Sequence, residues 1–351
     1  MIKFIQTADI HLGLEPDKGS PWSEKRKKDI FRSFVNVVEQ VKKEQADLLL
    51  IPGDLFHRQP LKRELKEVSS LFAEVAPAHV VLIAGNHDYL HPRSYYRNFP
   101  WPENVHMLMD EQLGKIRLPD LDTTVWGCSF WKPEDGRRIY RRERIREPGL
   151  HILLGHGGDE KHHPFSTEEI REAGYDYAAF GHIHRPGQLV PDRIVMSGAL
   201  EPTDCNDFGP HGYWSGTLSK GGCRVQFHSV KNCEYKKREI PVTPKMGSYQ
   251  ILEQTKEALA DREPWEISHV IFTGRRDSEV ELPIEEAGQL QRVVKLLDKT
   301  QPDYQYDKLK EEHKGTLLEL FIREMESRED SRLNEEALYY GVHAILEAME
   351  R

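Results

Sequence analysis

Two histidines, His182 and His184, stand one residue apart in "YDYAAFGHIHRPG", directly after an apolar run that ends in glycine. The same grammar recurs in four other places: an apolar run of strand length, a tight turn, then a side chain able to bind a metal. "IKFIQTADIH" leads to Asp9 and His11, "DLLLIPGDLFH" to Asp54, "HVVLIAGNHD" to Asn86 with His87, and "HILLGHGG" to His156. Residues i and i+2 of an extended chain point the same way. Asp9 with His11, and His182 with His184, can therefore each aim two groups at one place. Gly53 permits the sharp turn that precedes Asp54. Any one of these residues alone reads as an ordinary hydrogen-bonded side chain. Five such segments in order read as a metal centre.

The donors are carboxylate and amide oxygens and imidazole nitrogens, with no thiolate. That set suits manganese, iron or a catalytic zinc better than a structural zinc site. Seven candidates (Asp9, His11, Asp54, Asn86, His156, His182 and His184) are too many for one ion. Two ions sharing a bridging carboxylate, ~3.5–4 Å apart, fit better and suit phosphate-ester hydrolysis, in which they bind a phosphate oxygen and acidify a water.

The elements that must position these groups follow from the same runs. Continuous apolar strands imply sheets covered on both faces. Helical patterns at Lys28 to Gln45 and Leu61 to Val75 lie between them, and strand–helix alternation implies layered α/β packing. In such folds ligands gather beyond the carboxyl ends of the strands. From Val190 to Ile240 short strands with glycine turns take over, and the residues around "SKGG" predict a hairpin. "PVTPKMG" (241–247) predicts a linker. Beyond it "WEISHVIFTGR" predicts a strand and Ile284 to Lys299 a helix, giving a small α+β domain. At the end of the chain two apolar stripes have helical spacing: Leu317, Leu320, Phe321 and Met325, then Leu338, Val342, Ile345, Leu346 and Met349. Asn334 is the expected cap of the second helix. The stripes either pack on their own domain or dock a partner.

At 351 residues the chain exceeds one ordinary domain. No apolar run approaches a membrane span of ~18 residues, and "MIKFIQTADIHLG" does not read as a signal peptide. A cytoplasmic protein is expected. Cys128, Cys205, Cys223 and Cys233 form no CxxC pair and are expected as free thiols, the alternative being a zinc site from the last three. Net charge is −9, unevenly spread. Residues 1–245 hold 35 Lys+Arg against 34 Asp+Glu, a net of +1, whereas residues 246–351 hold 14 against 24, a net of −10. Two basic clusters stand out: "EKRKK" (Glu24 to Lys28), and "GRRIYRRERIRE", with Arg137, Arg138, Arg141, Arg142 and Arg144 around Tyr140. The second is either a phosphate-backbone contact, with Tyr140 against sugar or base, or a solvated charged loop.

"TADIHLG", "GDLFH", "GNHD", "GH" and "GHIH", spanning Thr7 to Pro186, resemble the signature of calcineurin-like metallophosphoesterases. More narrowly they resemble SbcD/YhaO-type DNA repair exonucleases. The resemblance implies a layered metallophosphoesterase β-sandwich flanked by helices over 1–243, a small α+β capping domain at 247–305, and a C-terminal helical pair at 308–351. It implies one ion on Asp9, His11, Asp54 and His184, and a second on Asp54, Asn86, His156 and His182. His87 would not ligate. It would protonate the leaving 3′ oxygen or stabilise charge on the phosphate, with Asp88 orienting it and His57 contacting the phosphodiester. Phosphoprotein phosphatases of the superfamily usually read GDxxDRG where this chain reads "GDLFHRQ". The chain also departs from many relatives after His156, where "GGDEKHH" replaces a glutamine.

For function, the resemblance implies a manganese-dependent exonuclease and endonuclease on DNA ends or hairpins, at the nucleoid. It implies a homodimer through Leu61–Val75 and Ser94–Phe99, and an SbcC-like coiled-coil ABC ATPase as partner, with the C-terminal stripes as its dock. The competing readings are a nucleotide or phosphoprotein phosphatase built on the same metal site, or a largely structural subunit of an SbcC-like complex.

Overall fold

The structure is a computed structural model that describes residues 1–329 and 331–349. The chain divides into two compact units: Met1–Lys236 with Glu263–Ile267, and Lys237–Arg262 with the chain from Ser268 onward.

The first unit begins with β1 (Ile2–Gln6), α1 (Ser23–Glu44), β2 (Leu48–Pro52), α2 (Lys62–Ala73) and β3 (His79–Ile83). A 3₁₀ turn at Tyr95–Asn98 leads to β4 (Val105–Met107), β5 (Gly114–Leu118), β6 (Thr123–Gly127) and β7 (Leu150–His156). Then come α3 (Thr167–Ala173), β8 (Tyr177–Gly181), β9 (Gly187–Val190), β10 (Ile194–Met196), β11 (His211–Ser219) and β12 (Gly222–Val230). They form two six-stranded sheets, β12-β11-β1-β2-β3-β4 and β5-β6-β7-β8-β10-β9. β1 to β4 run parallel, as do β6, β7, β8 and β10.

Alternation along the strands explains the layers. Leu48 and Leu50 of β2 point between the sheets, in one cluster with Ile152 and Leu154 of β7 and Phe4 of β1. Leu49 and Ile51 point the other way, onto Phe34, Val37, Val38 and Val41 of α1 and Leu65, Val68 and Phe72 of α2. The outer face of the second sheet, with Leu153, Ala178 and Phe180, is covered by Ile170 and Ala173 of α3 and by Tyr140. The result is a sandwich with helices on both outer faces, as the strand patterning predicts. Each fully buried Leu or Phe contributes ~1.5–3 kcal/mol, so the strand ends sit on a stiff base. The expected hairpin is β11–β12, registered Ser219 to Gly222 around Lys220 and Gly221.

β13 (Glu234–Val242) leads from the first unit into the second. There α4 (Ser248–Ala260), β14 (Glu266–Asp277), α5 (Ile284–Gly288) and β15 (Val293–Asp303) follow, with the three strands in one sheet. The helix expected over 284–299 is corrected here. It stops at Gly288, and Val293 onward pairs parallel to β14. The apolar residues of "VVKLL" satisfy a short helical period, but β-branched Val293 and Val294 and a neighbouring strand decide for sheet.

The chain closes with α6 (Tyr306–Glu312), α7 (Leu317–Glu326) and α8 (Arg332–Met349). Their core is Leu318, Ile322 and Val342, with Leu309, Phe321, Leu338, Ile345 and Leu346 around it. The α8 stripe largely turns inward. In α7 the inward face is Leu318, Ile322 and Met325, while Leu317 and Leu320 are exposed. Asn334 is not the cap: it lies inside the first turn and its N–H donates to Ser331 Oγ at 3.3 Å. No helix among the described residues is long and apolar enough to cross a membrane. None of the four cysteines is in a disulfide.

Candidate metal centre

Five parallel strands deliver the candidate ligands at their carboxyl ends. Asp9 and His11 follow β1, Asp54 follows β2, Asn86 and His87 follow β3, His156 ends β7, and His182 and His184 follow β8. The loops after β1 and β2 run side by side, with Ile10 N–H donating to Asp54 O at 2.9 Å and Leu12 N–H to Leu55 O at 2.9 Å. Within them Asp9, His11 and Asp54 adopt left-handed backbone, at φ 48, 51 and 50°. That conformation costs non-glycine residues ~1–3 kcal/mol each and persists where surrounding bonds over-determine it. Two glycines admit the close approach. A Cβ on Gly85 would lie 2.1 Å from Asp54 Oδ1, and one on Gly53 would lie 2.3 Å from His156 Nδ1.

The side chains form two adjoining groups. In one, His11 Nε2 and His184 Nε2 are 3.3 Å apart, in a cluster with Asp9. In the other, Asn86 Oδ1 lies 2.9 Å from His156 Nε2 and 3.0 Å from His182 Nδ1. Asp54 lies between them: its Oδ2 is 3.5 Å from His156 Nε2 and 3.8 Å from His11 Nε2. Its Oδ1 accepts the His87 backbone N–H at 2.9 Å. Asp9, His11, Asp54 and His156 are buried, whereas Asn86, His182 and His184 are partly open.

The far nitrogen of three histidines is anchored. His156 Nδ1 donates to Pro52 O at 2.9 Å, His184 Nδ1 to Asp207 Oδ2 at 2.8 Å, and His182 Nε2 to Asp159 Oδ2 at 2.7 Å. Such bonds aim the other ring nitrogens at the neighbouring donors. Nitrogen and oxygen donors thus converge on one place, an arrangement that a cation would satisfy once it displaces the protons held there. Burial opposes a charge on His156, but Asp54 and Asp9 push its pKa up to about 9. Burial likewise opposes a charge on His184, which Asp207 and Asp9 push to about 9. Burial holds His11 down at about 3, with Asp54 opposing. Asp9 is pushed up to about 6 by burial, against the pull of His156 and His184. Burial also works against ionised Asp54, yet His156 and His11 hold it well below the usual carboxylate range.

His57 and His87 sit beside this cluster, their rings stacked with centroids 5.1 Å apart. His87 is exposed and its Nδ1 lies 3.2 Å from His57 O; His57 Nδ1 is 3.4 Å from His11 Nδ1. Asp88 does not reach the His87 ring as expected. Its carboxylate accepts from Phe56 N–H (3.1 Å), Gly85 N–H (2.8 Å) and the Tyr96 hydroxyl (2.7 Å). It holds the turn that carries His87, because it is fully buried beneath it. Burial and neighbouring Asp54 push its pKa to about 7.

The arginine cluster makes contacts within its own fold. Arg137 grips Asp135 through Nε at 2.9 Å and reaches Glu111 at 2.9 Å. Arg138 pairs with Glu169 at 2.8 Å, and Arg142 lies 3.8 Å over the Trp126 ring. These three have partners within their own fold, and Arg138, Arg141 and Arg144 are exposed. Tyr140 is buried and cannot meet a base. Its hydroxyl accepts His156 N–H at 2.8 Å and donates to His156 O at 3.0 Å. Tyr140→Phe strands that buried N–H, so it should lower stability by ~1–3 kcal/mol. The urea midpoint reads this, and an unchanged midpoint contradicts it.

Sequence reading missed Asp159, Asp207 and Thr203, whose N–H and hydroxyl both bond Asp207 Oδ2, at 2.9 and 2.7 Å. They lie in irregular loops, 23 residues from His182 in the case of Asp159 and 23 from His184 in the case of Asp207. Only the departure at "GGDEKHH" signalled the first.

Comparison with known proteins agrees with this geometry. The sequence model of the calcineurin-like phosphoesterases matches residues 2–186. The uncharacterized metallophosphoesterase YhaO of Bacillus subtilis (strain 168) is 26% identical over 280 residues, covering 72% of this chain and 67% of that protein. The DNA double-strand break repair protein Mre11 of Aeropyrum pernix is 29% identical over 243 residues, covering 60% of this chain and 56% of that one. Its namesake from Archaeoglobus fulgidus is 26% identical over 265 residues, covering 66% and 57%. The chain therefore spans little more than half the length of these two repair proteins. Since the matched segment takes in more than half of the chain and all five strand ends, this protein belongs to the calcineurin-like phosphoesterases.

Proposed function

We propose that the chain is a two-metal phosphodiesterase that cleaves DNA at ends or hairpins, with manganese as its metal. Asp9, His11, Asp54 and His184 hold one ion and Asp54, Asn86, His156 and His182 the other. The observation that carries this reading is the placement of Asp54 Oδ2 between two converging sets of donors. Ions bound there supply positive charge for the phosphodiester oxygens and acidify a water. The chain's own residues do the rest. His87, held at Nδ1 by the His57 carbonyl, keeps Nε2 for a substrate oxygen, and its imidazolium form can protonate the leaving 3′ oxygen. His57, stacked on it, contacts the phosphodiester where a phosphoprotein phosphatase has a different motif.

The repair proteins among its relatives, and His57, favour DNA over a small phosphoester. Of the arginine cluster, Arg138, Arg141 and Arg144 are exposed for the phosphate backbone. End-labelled linear and hairpin DNA, digested with manganese beside a panel of small phosphoesters and phosphopeptides, tests this. Cleavage of DNA is the expected result; hydrolysis of the panel alone would contradict it.

Because His156 and His184 are both pushed to about 9, protons occupy these nitrogens at neutral pH and must leave as a cation binds. Manganese affinity should therefore rise with pH toward about 9, with proton release at pH 7. Calorimetry in buffers of different ionisation enthalpy measures the release, and none at pH 7 would contradict the ligand set.

The proposed assembly is a homodimer through Leu61–Val75 and Ser94–Phe99, acting at the nucleoid with an SbcC-like ATPase. Those two segments flank a groove of about 710 Å³ lined by Lys62, Ser69, Tyr95 and Phe99. The domain division in this reading is 1–243 for hydrolysis, 247–305 for the cap and 308–351 for docking. Leu317, Leu320 and Tyr340, exposed on the helical pair, are the docking anchors. Deleting the chain from Lys308 onward should abolish co-purification with the ATPase and leave manganese-dependent hydrolysis intact. Retained co-purification would remove this dock.

A further inference from the structure

The loop between β7 and α3 carries a carboxylate that touches one of the clustered histidines from behind. Resting on the two-ion reading, we propose that Asp159 is a positioning residue: it fixes which nitrogen of His182 faces the ion. Asp159 Oδ2 accepts from His182 Nε2 at 2.7 Å. With its hydrogen on Nε2, the imidazole keeps a lone pair on Nδ1, the atom 3.0 Å from Asn86 Oδ1.

The loop is built to hold that carboxylate in one orientation. Asp159 Oδ1 accepts the backbone N–H groups of Lys161 and His162 at 2.8 and 3.0 Å. Gly157 stands at φ 132°, and a Cβ there would lie 2.1 Å from His162 O. From the other side, Asp135 N–H donates to Lys161 O and His163 N–H to Asp135 O, both at 2.7 Å. Arg137 fixes the Asp135 side chain. That arginine therefore braces the loop.

The two backbone donors give a sharp test. In Asp159→Asn they keep the amide oxygen at the Oδ1 position, so the NH₂ must face His182 Nε2. A donor there forces the hydrogen onto Nδ1, the nitrogen meant for the ion. Asp159→Ala removes the partner without inverting it. Metal affinity should thus fall further in the asparagine variant than in the alanine variant. Fold stability should follow the opposite order, because asparagine keeps the loop bonds and alanine loses them.

Manganese titration of the full-length, chelator-treated chain by calorimetry reads the first quantity, and thermal unfolding of the same samples reads the second. One of two binding steps should weaken ~10–100-fold in Asp159→Asn, with a smaller loss in Asp159→Ala and the other step unchanged. Wild-type-like binding by the asparagine variant, or affinities that simply track stability, would overturn the proposal while leaving the two-ion reading in place. A wild-type chain that takes up no manganese would contradict that reading and this inference with it.

Discussion

Asp54→Ala should empty both ion positions at once. Asp54 Oδ2 lies within 4 Å of both histidine sets, 3.5 Å from His156 and 3.8 Å from His11. Losing even a supporting partner of a metal ligand costs ~10–100-fold in affinity. A shared ligand lost from two ions multiplies that, so manganese-dependent hydrolysis should fall by at least ~10²–10⁴-fold. Asp54→Asn should behave similarly, because the neutral amide cannot balance two cations. Ionised Asp54 is stabilised by His156 and His11 and accepts the His87 N–H, and removing one partner of such a buried set leaves the others unpaired, so the chelated alanine variant should unfold below the wild-type temperature while still folding. Loss of activity with an intact fold is the signature. Activity within tenfold of wild type, in a preparation free of contaminating nuclease, would contradict a bridging role.

His87→Ala should separate chemistry from binding. The ring is exposed and stacks on His57; it clusters with His11 and His57 but not with the carboxylates Asp9 and Asp54. Both manganese ions should bind as in wild type. Turnover on DNA should fall ~10²–10⁴-fold, the usual worth of a positioned proton donor. The leaving group distinguishes protonation from charge stabilisation. A p-nitrophenyl phosphodiester leaves as a stable anion and needs no proton, so His87→Ala should cost it far less than it costs DNA. Equal losses on both substrates would make His87 a group that stabilises phosphate charge and not the acid.

The pattern visible in the sequence was that of the strand ends. An apolar run followed by glycine and a donor is a local signal, and the sheet pairing turns five local signals into one cluster. The continuity of the apolar runs likewise announced both covered faces. What was not legible depends on contacts between distant loops. Asp159 and Asp207 lie in irregular segments with no periodicity, and their roles appear only once β8 is set beside the loops after β7 and β10. Tyr140 looked like an exposed aromatic among arginines. Its burial follows from the hydroxyl meeting the His156 backbone, 16 residues on. The partners of the arginines were illegible for a related reason: a run of like charge carries no trace of Asp135, Glu169 or Trp126 across from it. Residues 293–303 were ambiguous because short apolar runs fit helix and strand alike, and pairing with β14 broke the tie.

Whether two cations share Asp54 is measured directly by anomalous diffraction at the manganese edge, on crystals of the chain grown with manganese. Two peaks ~3.5–4 Å apart are expected, one beside Asp9, His11 and His184, the other beside Asn86, His156 and His182, with Asp54 touching both. A single peak, or peaks away from Asp54, would contradict the account.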